Sequence, residues 1–158
     1  MIYLVRHAKA GSRHNFSGND RLRRLSPNGL RQAQALATRL VPIVEAAEVK
    51  TFISSPFLRC IETLRPTAKA VGAQIETDSC LSEGRSYVDV LALLASLPDS
   101  AVVCSHGDVI PYTIEAAGRR GCEFISPPDW RKASVWELGR DDNGEIITAS
   151  AWPPPDID

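Results

Sequence analysis

Ala101-Val102-Val103-Cys104-Ser105-His106-Gly107 is an apolar run that breaks at once into a polar, histidine-bearing turn. So short and uniformly apolar a run reads as a strand buried on both faces, which is the signature of a parallel sheet. Met1-Ile2-Tyr3-Leu4-Val5 has the same form and stops at Arg6-His7. Thr51-Phe52-Ile53-Ser54 is a third such strand, running into Ser55-Pro56, and Gln74 to Thr77 is a weaker fourth.

Helical patterns lie between these strands. Ser26-Pro27 pairs a capping serine with proline at the first helical position, ahead of Leu30, Ala33, Ala37 and Leu40 at helical spacing. Ser55-Pro56 repeats that start, with Ile61, Leu64, Ala68 and Val71 on one face, a kink expected near Pro66 and a stop at Gly72. Ser86 to Asp89 has the form of a capping box before Val90, Leu91 and Leu94. A short helix is expected after Gly107, capped by Asp108 and ending near Gly118. Ala133 to Leu138 alternates, and Asp142-Asn143-Gly144 turns the chain into a returning strand over Glu145 to Ala149. The expected fold class is α/β: a three-layer sandwich with a mainly parallel central sheet, helices on both faces and a C-terminal hairpin strand.

At 158 residues the chain makes one domain, assigned to 1–150, with a Pro-rich tail over 151–158. A chain of this size buries roughly 68–70% of its unfolded surface and needs no staple. Cys60, Cys80, Cys104 and Cys122 form no close pair, so they read as small apolar residues in a reducing compartment. The net charge of −1 argues against a nucleic-acid partner, and the lack of any long apolar run argues against a membrane. The first residues do not have the pattern of a signal peptide, so the expected location is cytoplasmic.

Charge is unevenly spread. Arg6, Lys9, Arg13, Arg21, Arg23 and Arg24 face a single acid, Asp20, over residues 6–24, leaving that segment at +5 and the remainder at −6. Lys9, Arg13, Arg21 and Lys132 are the candidate substrate-recruiting cations, with a plain solvated loop as the bland alternative. His14 reads as a loop residue, and Trp130, Trp136 and Trp152 as packing residues.

In an open parallel sheet, ligands bind beyond the carboxyl ends of the strands. Two of the three histidines, His7 and His106, stand there, and Arg6 and Arg59 stand beside the same edge. Arginine's planar fork suits a phosphate, and neighbouring cations disfavour the imidazolium, which leaves a neutral histidine able to attack phosphorus. Glu83, after the third strand in sequence (Gln74 to Thr77), is the candidate acid for a leaving oxygen.

LVRHAKAG at 4–11, SSPFLRCIET at 54–63 and VVCSHGDVI at 102–110 together resemble the histidine phosphatase, or phosphoglycerate mutase-like, superfamily. The short length, the RHA at 6–8 and the stretch Asp20 to Ser26 are similar to the branch of bacterial phosphohistidine phosphatases and Nudix-linked phosphatase domains. Lys132 to Trp136 is similar to the late strand of the latter. The resemblance implies His7 as nucleophile, Arg6, Arg59 and His106 as the rest of a phosphate pocket, and Glu83 as proton donor. It implies neither metal nor cofactor, and as partner a phosphorylated small molecule, a nucleotide or a phosphohistidine protein. P-loop, GxGxxG and GxSxG patterns are absent, so NTPase, dinucleotide and serine-hydrolase readings have no support. A non-catalytic phosphate-binding or protein-interaction domain of the same fold is the competing class.

Overall fold

The computed structural model describes residues 1–157. Its strands are β1 (Ile2–Arg6), β2 (Phe52–Ser54), β3 (Ile75–Thr77), β4 (Val102–Ser105), β5 (Glu123–Phe124), β6 (Val135–Arg140) and β7 (Ile146–Trp152). Its helices are α1 (Pro27–Glu45), α2 (Leu58–Ala70), α3 (Tyr87–Ser96) and α4 (Val109–Arg119). All seven strands form one sheet in the order β3-β2-β4-β1-β6-β7-β5. β4 pairs in parallel with both β1 and β2, and β3 extends that parallel block. β6 pairs antiparallel with β1 and then with β7, so the expected hairpin forms.

The central strands are apolar throughout because both faces are covered. Ile2, Leu4 and Val103 face one core with Val90, Leu94, Ile110 and Ile114 of α3 and α4. Tyr3, Val5, Val102 and Cys104 face the other with Ala33, Leu36, Leu40 and Leu64 of α1 and α2. Successive residues of a strand thus feed opposite cores, as the period of two requires, and the chain is the expected three-layer α/β sandwich. Among the described residues, no helix is long and apolar enough to cross a membrane.

Several local expectations change. Ser26 Oγ accepts from the Gly29 N–H at 3.1 Å and caps α1 as read. Leu30, however, is half exposed, and Gly29 takes its place on the buried face. A Cβ at Gly29 would lie 1.9 Å from the Lys9 carbonyl oxygen, so only glycine lets α1 sit against the loop after β1. The second helix begins two residues later than Ser55-Pro56 suggests, with Phe57 at its N-cap and no side-chain cap. Helix α2 continues through Pro66 to Ala70. Asp108 occupies the N-cap of α4 without making a cap bond. Strand β7 runs to Trp152, so the sheet extends into the stretch read as tail, and Trp152 packs on Tyr3 at 5.5 Å between ring centroids. The two-residue β5 adds an edge strand that is too short to carry a pattern in the sequence.

Candidate active site

The carboxyl ends of β1, β2 and β4 lie side by side, and this register builds the site. Arg6 is level with Ser105, and Ser54 is level with Cys104. His7 therefore follows β1 directly beside the turn that carries His106, and the two rings meet edge to face at 5.4 Å. Arg59, in the first turn of α2, is near enough for its charge to act on His7.

His7 is 6% exposed, and its Nδ1 donates to the Ala8 carbonyl oxygen at 2.8 Å. A carbonyl can only accept, so the proton sits on Nδ1 and Nε2 keeps its lone pair. The Ala8 N–H is itself fixed by Thr63 Oγ1 at 3.0 Å, which locks the turn that bears the imidazole. Burial pushes the His7 pKa down to about 3; the Ala8 bond opposes this, while His106, Arg59 and Arg6 add to it. The neutral ring expected from its cationic neighbours is present, but desolvation is the larger cause.

His106 is buried between Phe57, whose ring packs edge to face with a centroid separation of 4.8 Å, and Ser55, whose Oγ is 2.8 Å from Nε2. Ser55 thus serves the histidine rather than the helix. Cys60 Sγ lies 3.6 Å from the same nitrogen, so this cysteine is more than apolar filling. All four cysteines are buried and free.

Arg59 is completely buried. It pairs with Asp20 at 3.2 Å and with Glu83 at 3.3 Å, and lies over the Phe57 ring at 4.9 Å. Arg6 donates to the Trp130 carbonyl oxygen and packs on Gly107. Arg6 Nε, Arg59 Nε and His106 Nδ1 are buried with no hydrogen-bond partner among the described residues. Three orphaned polar nitrogens beside one neutral imidazole make a place that an anion would satisfy.

A cavity of about 500 Å³ opens here, lined among others by Arg6, His7, Lys9, Arg13, Glu83 and Lys132. Glu83 therefore reaches the site, with one oxygen on Arg13 at 3.1 Å and the other on Arg59. Arg21 does not line the cavity; it stands over Phe57 at 5.5 Å. His14 is exposed, as a loop residue should be, and Trp136 and Trp130 pack together at 5.0 Å.

Part of the basic segment is structural. Arg23 is buried, donates to the Gly11 carbonyl oxygen at 2.6 Å and pairs with Asp20, while Arg24 pairs with the buried Glu62. Sequence reading missed Asp20, Ser55, Gly107 and Asp108 as site residues. Only the SHGD stretch at 105–108, where His106 already drew attention, carried a signal for any of them. Among the described residues, no three His, Cys, Asp or Glu side chains cluster to hold a metal ion.

The parallel sheet thus brings two histidines and two arginines to one edge: Arg6 and His7 line the cavity, while Arg59 and His106 are buried beside them and do not line it. The profile of the histidine phosphatase superfamily (branch 1) matches residues 2–89, and the chain belongs to that superfamily. It is 32% identical to an 8-oxo-(d)GTP phosphatase of Mycolicibacterium smegmatis, an alignment covering 98% of this chain and 48% of that protein. The chain thus spans about half the length of that curated relative. Among solved structures, it is similar to the protein histidine phosphatase SixA complexed with tungstate (TM-score 0.72, 22% identity, 92% of this chain and 91% of that one). It is also similar to a mycobacterial glucosyl-3-phosphoglycerate phosphatase in complex with VO3 (TM-score 0.67, 19% identity, 98% and 99% covered). At these identities the two structures establish the phosphoglycerate mutase-like fold.

Proposed function

We propose that this chain hydrolyses phosphorylated substrates by way of a phosphohistidine on His7. The observation that carries the reading is the buried, neutral His7, with Nδ1 committed to Ala8 and Nε2 free beside Arg6, Arg59 and His106. Nε2 attacks phosphorus, the bond to the leaving group breaks, and water later displaces the imidazole to give orthophosphate. Arg6, Arg59 and His106 hold the three equatorial oxygens, the positioning and charge neutralisation that phosphoryl transfer needs. No metal is required in this scheme, and turnover of an aryl phosphate ester withstands chelator.

The substrate we favour is a nucleotide or other polyphosphate. Lys9 and Lys132 line the cavity without a carboxylate partner among the described residues. Partial burial, then Arg6, Arg23 and Lys9, lower the Lys132 pKa, so an anion arriving there relieves an existing strain between cations. The transferring phosphoryl group is already matched by Arg6 and Arg59, which leaves the lysines for a second phosphate. A phosphohistidine protein is the second reading. The exposed rim of Lys9 and Arg13 would suit an anionic protein surface, and an imidazole leaves without an acid. We place the protein in the cytoplasm, where four free cysteines persist.

Trapping with a labelled substrate tests the mechanism. An acid-labile, base-stable adduct is expected on the wild-type chain and absent from His7→Ala. No adduct, or one elsewhere, overturns it in favour of a non-catalytic phosphate-binding or protein-interaction domain. A substrate panel scored by kcat/KM, repeated with Lys132→Met, separates a polyphosphate from a phosphohistidine protein.

A further inference from the structure

Among the described residues, Asp108 is the one cavity-lining carboxylate that keeps an oxygen uncommitted. Its Oδ2 accepts the Gly84 N–H at 2.7 Å, while its Oδ1 is buried with no partner among the described residues. It stands two residues after His106, lines the same cavity as Arg6 and His7, and its charge acts on both Arg6 and Arg13. It sits at the N-cap of α4 yet makes no cap bond, so helix capping does not account for it. Glu83, the other carboxylate of the cavity, differs: each of its oxygens is bonded to a guanidinium. Both oxygens of Glu83 are thus engaged in holding guanidiniums, whereas Asp108, anchored through Oδ2, has an Oδ1 with no bond to give up.

We propose that Asp108 is the general base of the second half-reaction; this rests on the phosphohistidine reading above. Water attacks the phosphorus held on His7, the new O–P bond forms, and the P–Nε2 bond breaks. The electron pair of that bond stays on Nε2, so the imidazole leaves neutral with its proton still on Nδ1. The proton released by the water passes to Asp108 Oδ1 and from there to solvent. Gly84 holds Oδ2 so that Oδ1 is the oxygen presented. The first half-reaction needs no proton from Asp108 when the leaving group is an imidazole, a phosphate or an activated phenolate.

The test uses the full chain with p-nitrophenyl phosphate in rapid-mixing and steady-state experiments. Asp108→Asn keeps an oxygen for the Gly84 N–H but removes the base. The variant is expected to release one rapid equivalent of nitrophenolate, then turn over more slowly by about 10²–10⁴, with phosphohistidine accumulating. Formate, fitting the space left in Asp108→Ala, is expected to restore part of the turnover. Equal slowing of burst and turnover, no slowing of either, or accumulation in Glu83→Gln instead of Asp108→Asn would overturn the assignment. Absence of any adduct in the wild-type chain and both variants would overturn the phosphohistidine reading itself, a result distinct from the other three.

Discussion

Gly107 lies flat against the Arg6 guanidinium: a Cβ built on Gly107 would sit 2.5 Å from Arg6 Cζ and 2.6 Å from Nη2. The small residue after His106 therefore sets where the arginine before His7 can stand, coupling β4 to β1 through the site. Gly107→Ala must displace Arg6, and the far end of a long side chain moves more easily than backbone. The expected outcome is a fall in kcat/KM on the order of 10²–10³, that of losing one transition-state donor. Thermal melts should show a stability change below about 1 kcal/mol, because no core residue is touched. A large loss of Tm with normal kinetics in the surviving fold would show that Arg6 is not the group disturbed.

Arg59 is expected to tolerate no conservative replacement. Its fork is fixed by Asp20 on one side and Glu83 on the other, over the Phe57 ring, and it is wholly buried. A lysine brings one point charge where two directed donors are needed, and it leaves Asp20 and Glu83 less well neutralised. Arg59→Lys should lower kcat/KM by about 10²–10³. Near-normal kinetics would place Arg59 outside the phosphate pocket.

The elements that carry these residues were largely legible in the sequence, for a definite reason. Strands β1, β2 and β4 are buried on both faces, so each is an unbroken apolar run, and the residue that ends each run is conspicuous. Ser55 was misread because a Ser-Pro pair looks the same whether its hydroxyl caps a helix or reaches across to His106. Asp20 lies in a single 3-10 turn (Asp20–Leu22), too short for any periodicity to mark a residue that folds back 39 positions onto Arg59. The neutrality of His7 was foreseen from its cationic neighbours, but burial, the larger cause, is a property of the assembled sheet.

That burial has a pH signature. The folded His7 pKa of about 3 lies below the ordinary histidine value of 6.5, so between them the unfolded chain binds more protons than the folded one. Stability attributable to His7 must therefore fall as pH drops below 6.5 and level off near pH 3. The loss reaches a few kcal/mol at about 1.36 kcal/mol per unit. His7→Gln should flatten the denaturation midpoint against pH across that window relative to wild type. Parallel curves for the two proteins would mean that His7 is not held neutral by the fold.

Glu83 decides how the leaving group departs. Its two oxygens are occupied by Arg13 and Arg59, an arrangement that suits holding arginines better than donating a proton. Glu83→Gln keeps the size of the side chain and removes both the charge and the acid. If Glu83 positions Arg59, the loss should be about tenfold and similar for phosphoramidates, anhydrides, aryl esters and alkyl esters, because all of them use the same guanidinium. It should also be modest, because Asp20 still anchors Arg59 at 3.2 Å. If Glu83 is the proton donor instead, alkyl esters, which leave as alkoxides, should lose about 10²–10⁴ while the other substrates are spared. We expect the uniform, modest loss. That pattern favours substrates whose leaving group needs no proton, which is the property shared by phosphoanhydrides and phosphohistidine.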